Sequence, residues 1–282
     1  MFDVSKSVVQ ELKIDTLKSR GIRLLVKRDD LIHPVVSGNK WRKLKYNVEL
    51  CKARKNKGIL TFGGAFSNHL VATAATCQSL GVESIGIVRG EELNESSNQT
   101  LIDCKNLGMQ LIFTTRSEYK SRNEKVFIER MSIKYPNFLI VPEGGANYHG
   151  IVGCQEILKE VDEDIDHVFV AQGTSTTSCG IAMSLKEEQQ LHVVPVLKGY
   201  QSLSEMNDLF LKGGINGEFT EGLLFFIANF FRNNRLKLDQ VYTGKVMFAL
   251  LDIIQSDYYD NSTVLFVHTG GLQGLRGVNL EL

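Results

Sequence analysis

The segment GILTFGGAFSNHLVATAATCQSLGVESIGIV, residues 58–88, decides the fold of this chain. It begins with the apolar run GILTF, passes two glycines into the helix-like stretch SNHLVATAATCQSLG, and ends in the β-branched run SIGIV. Two short strands joined by a helix indicate a parallel β-α-β unit with a right-handed crossover. The loop between the first strand and the helix then lies at the carboxyl end of a strand, where ligands bind in such sheets.

The same alternation of strands and helices continues on both sides of this segment. Further strands are predicted at RLLVKRD (23–29), MQLIFTT (109–115), NFLIV (137–141), HVFVAQ (167–172), HVVPVL (192–197) and TVLFVHTGG (263–271). Because each half of the chain has its own series, we expect an α/β protein of two domains, with open, twisted parallel sheets and helices on both faces.

Composition and charge exclude several classes of function. The 282 residues include 32 acidic and 32 basic side chains, so the chain lacks the net positive charge that favours nucleic-acid binding. No apolar run approaches about 18 residues and the first residues do not resemble a signal peptide, so we expect no membrane association and a cytoplasmic location. The five cysteines are scattered singly, which argues against a disulfide framework or a metal site.

Two segments offer lysines or helix starts to a ligand. In SGNKWRKL, Lys40 falls in the first turn of a helix, and Lys43 lies one turn later on the same face. A lysine placed there has either a lowered pKa or an anion to bind, although a solvated basic helix start would look the same. In GGAFSNH, Ser67 and Asn68 begin a helix whose N–H groups can bind a carboxylate, although both residues also serve as ordinary helix caps.

Three later segments are weaker signals. In GTSTT, the residues Gly173, Thr174, Ser175, Thr176 and Thr177 gather hydroxyl and N–H groups after a strand, which suits a single terminal phosphate better than ATP or NAD. A plain Ser/Thr-capped helix is the alternative. Two further loops place Tyr242 and Thr243 at a helix start and Thr269 before two glycines.

Taken in order, KRDD, SGNKWRKL, GGAFSNH, PEGGAN, GTSTT, VYTGK and HTGG resemble the 1-aminocyclopropane-1-carboxylate deaminase and D-cysteine desulfhydrase family. These are pyridoxal 5'-phosphate (PLP) enzymes of the tryptophan synthase β-like fold, fold type II. The resemblance implies an inserted small domain at residues 43–142 and a large domain formed by residues 1–42 and 143–282. It also implies that PLP lies in the cleft between them and that the protein is a homodimer.

The resemblance further implies a role for each candidate residue. Lys40 would hold PLP as a Schiff base, and Lys43 with the loop 173–177 would bind the phosphate. Asn68 would contact the phenolic oxygen of PLP, Ser67 the substrate carboxylate, and Tyr242 the ring or the reacting carbon.

Two departures from the family pattern concern activity. The phosphate loop is usually glycine-rich in this family, whereas here it contains Thr174, Ser175 and Thr176. The chain is also shorter than typical members near Tyr148 and between residues 200 and 240. At the two positions expected beside the pyridine nitrogen, Thr243 and Thr269 resemble the desulfhydrase branch, because ring-opening deaminases have Glu and Leu there. A threonine hydroxyl leaves that nitrogen closer to neutral than a carboxylate does, which β-elimination tolerates better.

The sequence therefore predicts a PLP-dependent lyase or deaminase that acts on a small amino acid and releases a 2-oxo acid and ammonia, of D-cysteine desulfhydrase type. The ring-opening deaminase is the nearest alternative, and a racemase or dehydratase on the same fold stays open. A non-catalytic protein that binds a phosphorylated metabolite through the loop 173–177 is the alternative from another class.

Overall fold

The computed structural model describes residues 2–196 and 221–275. The strands within these ranges are β1 (Val9–Leu12), β2 (Arg23–Lys27), β3 (Gly58–Gly63), β4 (Glu83–Arg89), β5 (Met109–Thr114), β6 (Phe138–Val141), β7 (His167–Gln172), β8 (Gln190–Pro195) and β9 (Thr263–Val267). The helices are α1 (Asp15–Lys18), α2 (Asn39–Ala53), α3 (Asn68–Ser79), α4 (Gln99–Asn106), α5 (Arg116–Lys120), α6 (Lys125–Lys134), α7 (Tyr148–Lys159), α8 (Thr176–Ala182), α9 (Glu221–Asn234) and α10 (Thr243–Ile253).

The strands form two sheets. One has the order β1-β2-β9-β7-β8 and the other the order β5-β4-β3-β6. All neighbouring strands are parallel except β1, which runs antiparallel to β2 with Val9 opposite Lys27. The predicted α/β class is confirmed. Strand β1 was not predicted, because VQEL is too short to show a clear alternation and takes its conformation from pairing with β2.

The central strands are buried on both faces, which explains why they appear in the sequence as continuous apolar runs. Every residue of β3 and of β7 is buried. Along β7, Phe169 packs into one apolar cluster while Val168 and Val170 pack into another on the opposite face. Helices therefore cover both sides of the five-stranded sheet, as the sequence pattern predicts.

Helix α2 links the two sheets. It packs against α7 and also contacts α3, β3 and β6. The contact with α7 is close, because a Cβ added at Gly153 would lie 1.8 Å from the carbonyl oxygen of Arg42. The predicted domain boundary at residue 43 falls inside this continuous helix. We therefore propose that α2 forms the junction between the small domain, residues 43–142, and the large domain, residues 1–42 and 143–282. The large domain extends beyond the described residues.

A buried ion-pair network fixes the first turns of α2. Arg42 is fully buried and its guanidinium donates to Asp29 at 3.0 and 3.2 Å and to Glu160 at 2.7 Å. Asp29 is also fully buried and accepts a hydrogen bond from the Ser7 hydroxyl. Buried charges of this kind require partners on every side, so the network fixes the rotation and height of the helix start.

Candidate active site

A cavity of about 640 Å³ opens where the carboxyl ends of strands from both sheets meet. Its volume lies in the range of small-molecule sites, roughly 300–1,000 Å³. The predicted site residues that line it are Lys40, Lys43, Ser67, Asn68, Gly173, Thr174, Ser175, Thr177, Tyr242 and Thr269. Residues separated by more than 200 positions in the sequence therefore share one concave surface.

Lys40 has an unusually accessible neutral form. Its side chain is partly buried at the start of α2, and Nζ donates a 2.7 Å hydrogen bond to Asn39 Oδ1. Burial and, second, the nearby charge of Lys43 lower the pKa of Lys40 from 10.5 to about 7, against a smaller opposing effect of Asp239. A large fraction of this amine is uncharged at neutral pH, and the uncharged amine is the form that attacks an aldehyde.

The position of Lys40 depends on a backbone contact that requires glycine. Gly38 has φ +61°, and a Cβ there would lie 1.9 Å from the carbonyl oxygen of Thr269. The next residue, Asn39, donates its N–H to that same oxygen at 3.3 Å and its side-chain amide to Thr177 Oγ1 at 2.8 Å. The start of α2 is thus joined both to the end of β9 and to the loop after β7.

The loop after β7 has the donors that a phosphate group requires. Lys43 is buried, and its ammonium lies 3.4 Å from Thr174 Oγ1. The hydroxyl of Thr177 accepts from Asn39, and the hydroxyl of Ser175 accepts from the Gln172 amide at 2.8 Å. Neither hydroxyl donates to another group within the described residues, so each keeps its proton for a ligand.

Two predicted site residues do not reach the cavity surface. Thr176 is buried and its hydroxyl donates to the carbonyl oxygen of Thr174 at 3.0 Å. Thr243 is fully buried, and its hydroxyl donates to Asp239 Oδ1 at 2.7 Å while accepting the Asp239 N–H at 2.9 Å. The lining of the cavity includes neither residue, so contact of their side chains with a cofactor stays a prediction.

The turn between β3 and α3 places a helix start at the cavity wall. Ser67 is the N-cap of α3, and its Oγ accepts the N–H of Leu70 at 3.3 Å. The side chain of Asn68 also lines the cavity, and its Nδ2 would lie 3.6 Å from a Cβ placed on Gly271. Because the N-terminus of a helix favours negative charge, this wall suits a carboxylate while Ser67 also serves as a cap.

Tyr242 is held as a neutral phenol. Burial, followed by the negative charges of Asp239 and Glu143, raises its pKa to about 12. The phenolic proton is therefore retained at neutral pH, and Tyr242 can donate a hydrogen bond to a group in the cavity.

Three residues with contacts at the site carry no strong signal in the sequence. Asn39 looks like a turn residue, but it holds Lys40 and Thr177 together. Glu143 lines the cavity and accepts from Arg122 at 2.6 Å. Asp239 accepts the N–H groups of residues 241, 242 and 243, an arrangement that only its position four residues before Thr243 could have suggested.

The donor set fits a ligand that combines a phosphate with an aldehyde. A lysine amine with a lowered pKa stands beside a second lysine, two free hydroxyl protons and a helix start, all on one cavity. In solved structures this arrangement of sheets recurs in a homologue of 1-aminocyclopropane-1-carboxylate deaminase, with a TM-score of 0.77 over 96% of this chain and 90% of that chain at 23% identity. The fold is therefore the two-domain α/β fold of type II PLP enzymes.

The sequence defines the family. The model of the pyridoxal-phosphate dependent enzymes matches residues 10–207, so the chain belongs to this family and PLP is its cofactor. A D-cysteine desulfhydrase of Klebsiella pneumoniae is 26% identical over 90% of this chain and 88% of its own length. A mitochondrial bifunctional D-cysteine desulfhydrase/1-aminocyclopropane-1-carboxylate deaminase of Arabidopsis thaliana is 27% identical over 90% of this chain and 74% of its own length.

Proposed function

We propose that this enzyme is a lyase of D-cysteine desulfhydrase type. The proposed reaction converts D-cysteine and water into a 2-oxo acid, hydrogen sulfide and ammonia. The observation that carries the proposal is the Lys40 amine, with its pKa lowered to about 7, placed in one cavity with an anion-binding loop and a carboxylate-binding helix start. Relatives named for this activity support the same conclusion.

Each cavity wall has a separate task in this reaction. When bound, PLP supplies an electron sink that makes the Cα–H bond of the substrate acidic. The Lys40 amine accepts the Cα proton, because it is uncharged at neutral pH. Ser67 and the first-turn N–H groups of α3 hold the substrate carboxylate, and the neutral Tyr242 phenol donates a hydrogen bond to the departing thiolate. Asn68 orients the ring, and Lys43 with the loop 173–177 binds the phosphate.

Two threonines favour β-elimination over ring opening. Thr269 lines the cavity, and Thr243, which is fully buried next to the lining residue Tyr242, stands at the position where ring-opening deaminases are expected to have glutamate. Threonine has no carboxylate to offer the pyridine nitrogen, and the Thr243 hydroxyl proton is already donated to Asp239. The ring-opening reaction is the second candidate, because the Arabidopsis relative is named for both activities.

The two candidates are separated by one assay. Release of 2-oxo acid is measured from D-cysteine, L-cysteine and 1-aminocyclopropane-1-carboxylate with the purified PLP-loaded enzyme. We expect D-cysteine to react fastest. Turnover of the cyclopropane substrate alone would establish the ring-opening deaminase instead, and interconversion of enantiomers without 2-oxo acid would establish a racemase.

We further propose that the enzyme works in the cytoplasm as a homodimer. Each of the five cysteines is a free thiol, as a reducing compartment favours. Over the described residues, no helix combines the length and the hydrophobicity needed to cross a bilayer. Light scattering coupled to gel filtration tests the dimer, since a mass near 31.6 kDa would show a monomer. Cell fractionation tests the location.

A further inference from the structure

A buried histidine beside the two lysines lacks a hydrogen-bond partner on one side. His69 follows Asn68 in the first turn of α3, lines the cavity and is only 3% exposed. Its Nδ1 atom is buried and has no hydrogen-bond partner in the part of the chain that the structure describes. Most buried polar atoms in folded proteins are paired, so this atom indicates a missing partner.

The other ring nitrogen fixes the proton of His69. Nε2 lies 2.9 Å from Thr61 Oγ1, and the Thr61 hydroxyl donates its own proton to the carbonyl oxygen of Val141 at 2.8 Å. Since that hydroxyl has one proton and has already used it, it can only accept from His69. Nε2 therefore carries the hydrogen, and Nδ1 presents a lone pair that can accept one.

The Lys43 ammonium has hydrogen-bond donors to spare, which complements the unpaired acceptor of His69. Its ammonium has three N–H donors, and within the described residues it makes one hydrogen bond, of 3.4 Å, to Thr174. Gly145 separates the two side chains: a Cβ added there would lie 3.0 Å from Lys43 Cβ and 3.6 Å from His69 Cε1. A buried donor with spare protons and a buried acceptor without a donor thus flank the same glycine.

We propose that His69 is a positioning residue for Lys43, whose ammonium donates to His69 Nδ1 when an anion occupies the loop after β7. In this arrangement the ammonium is held between the phosphate of PLP on one side and the imidazole on the other. His69 itself stays neutral, because burial and the charges of Lys40 and Lys43 lower its pKa to about 3. It accepts from the lysine without adding a repelling charge.

Binding measurements on two substitutions test this role. In His69→Gln, the amide can still reach Thr61 but no acceptor remains at the Nδ1 position, whereas in His69→Asn the side-chain oxygen can occupy that position. Because the lost hydrogen bond involves a charged group, we expect His69→Gln to weaken PLP binding by roughly tenfold or more and His69→Asn by less than about threefold. Pyridoxal, which lacks the phosphate, should bind both variants about as well as the wild type.

Nitrogen NMR on histidine-labelled wild-type protein gives a readout independent of any substitution. We expect His69 to show the Nε2–H form without ligand, and its Nδ1 resonance to shift in the direction of an accepted hydrogen bond when PLP is added. Thr61→Val removes the acceptor of the Nε2 hydrogen, so the ring should then populate both the Nε2–H and the Nδ1–H forms. Thr73→Val is the matched control, because the fully buried Thr73 hydroxyl donates to the backbone oxygen of His69 and not to its ring.

The inference rests on PLP binding in this cavity, yet the two can fail separately. A wild-type protein that binds no PLP contradicts the proposed function. A wild-type protein that binds PLP with an Nδ1–H tautomer, an unchanged Nδ1 resonance, or equal losses for PLP and pyridoxal in His69→Gln overturns the role of His69 alone. None of these measurements depends on whether the enzyme turns over D-cysteine.

Discussion

Lys40 owes its chemistry to its surroundings at the scale of a single residue. A lysine on a solvated helix start has a pKa near 10.4, too high for an appreciable fraction of free amine at neutral pH. Burial and the neighbouring Lys43 lower the pKa of Lys40 to about 7. Asn39 fixes the position of the amine through a hydrogen bond of 2.7 Å from Lys40 Nζ to Asn39 Oδ1. The local sequence alone does not show this, because burial depends on walls contributed by both sheets.

The reaction of apo-enzyme with PLP should follow this pKa. Below pH 7 the Lys40 amine is protonated and cannot attack, so the rate of appearance of the visible absorption band should rise between about pH 6 and 8 and then level off. After borohydride reduction, Lys40→Ala should carry no covalently attached pyridoxyl group. Lys45→Ala, which changes a lysine of the same helix bonded to Glu156, should keep the band. A midpoint near pH 10 would contradict the lowered pKa.

A second residue-scale prediction concerns the buried network under α2. Arg42→Met should lower the free energy of unfolding by roughly 3 kcal/mol, because it leaves the fully buried Asp29 without its cation. Arg23→Met is the matched control, since Arg23 pairs with Glu11 and Glu163 at the surface and should cost less than about 1 kcal/mol. Urea unfolding measures both values. Equal losses of unfolding free energy in the two variants would show that the buried ion pair contributes no more to stability than the surface pairs.

At the scale of secondary-structure elements, apolar patterning predicted the central strands but not their surroundings. Strands β3 and β7 were recognisable because both of their faces are buried. Strand β1 was not, because its pairing with β2 decides its conformation. Thr243 begins α10 as predicted, but its own segment does not show that its hydroxyl is bound to Asp239. The candidate site followed mainly from the order of its motifs, whereas the contacts of Asn39 and His69 required coordinates.

The close packing of α2 on α7 gives an element-scale prediction. Gly153→Ala would place a Cβ against the carbonyl oxygen of Arg42 and force the helices apart. We expect a loss of about 1–3 kcal/mol in unfolding free energy and weaker PLP binding, because Lys40 and Lys43 move with α2. Lys159→Ala, at an exposed position of α7, should change stability by less than about 0.5 kcal/mol. Unchanged PLP affinity in Gly153→Ala would show that Gly38, Asn39 and the Arg42 network hold the helix start without the contact between α2 and α7.

At the scale of the whole molecule, the cysteines report on the packing of both sheets. Cys51, Cys77 and Cys104 lie in clusters on the four-stranded sheet, Cys154 lies beneath the five-stranded sheet, and Cys179 is exposed. Burial raises the pKa of Cys77 and of Cys104 to about 12 and that of Cys154 to about 11. These thiols are therefore both inaccessible and protonated.

Thiol titration should distinguish the exposed cysteine from the buried ones. At neutral pH one thiol per chain, Cys179, should react rapidly with an aromatic disulfide reagent, and all five should react in denaturant. Cys179→Ser should abolish the rapid phase. Rapid reaction of a second thiol without denaturant would show that one of the two sheets opens on the timescale of the assay.

The composition of the cavity from two sheets also has an evolutionary consequence. The lysines and the hydroxyl loop belong to segments anchored on α2, β7 and β9, whereas Ser67, Gln99 and Thr100 lie at the N-terminal ends of α3 and α4, which pack on the four-stranded sheet. Mutations in the second group can change which small molecule is accepted while the cofactor anchor stays intact. Lineages can thus acquire new substrates by exchanging one wall, and laboratory libraries confined to residues 64–67 and 98–100 should retain coloured, cofactor-loaded protein while sampling new specificities.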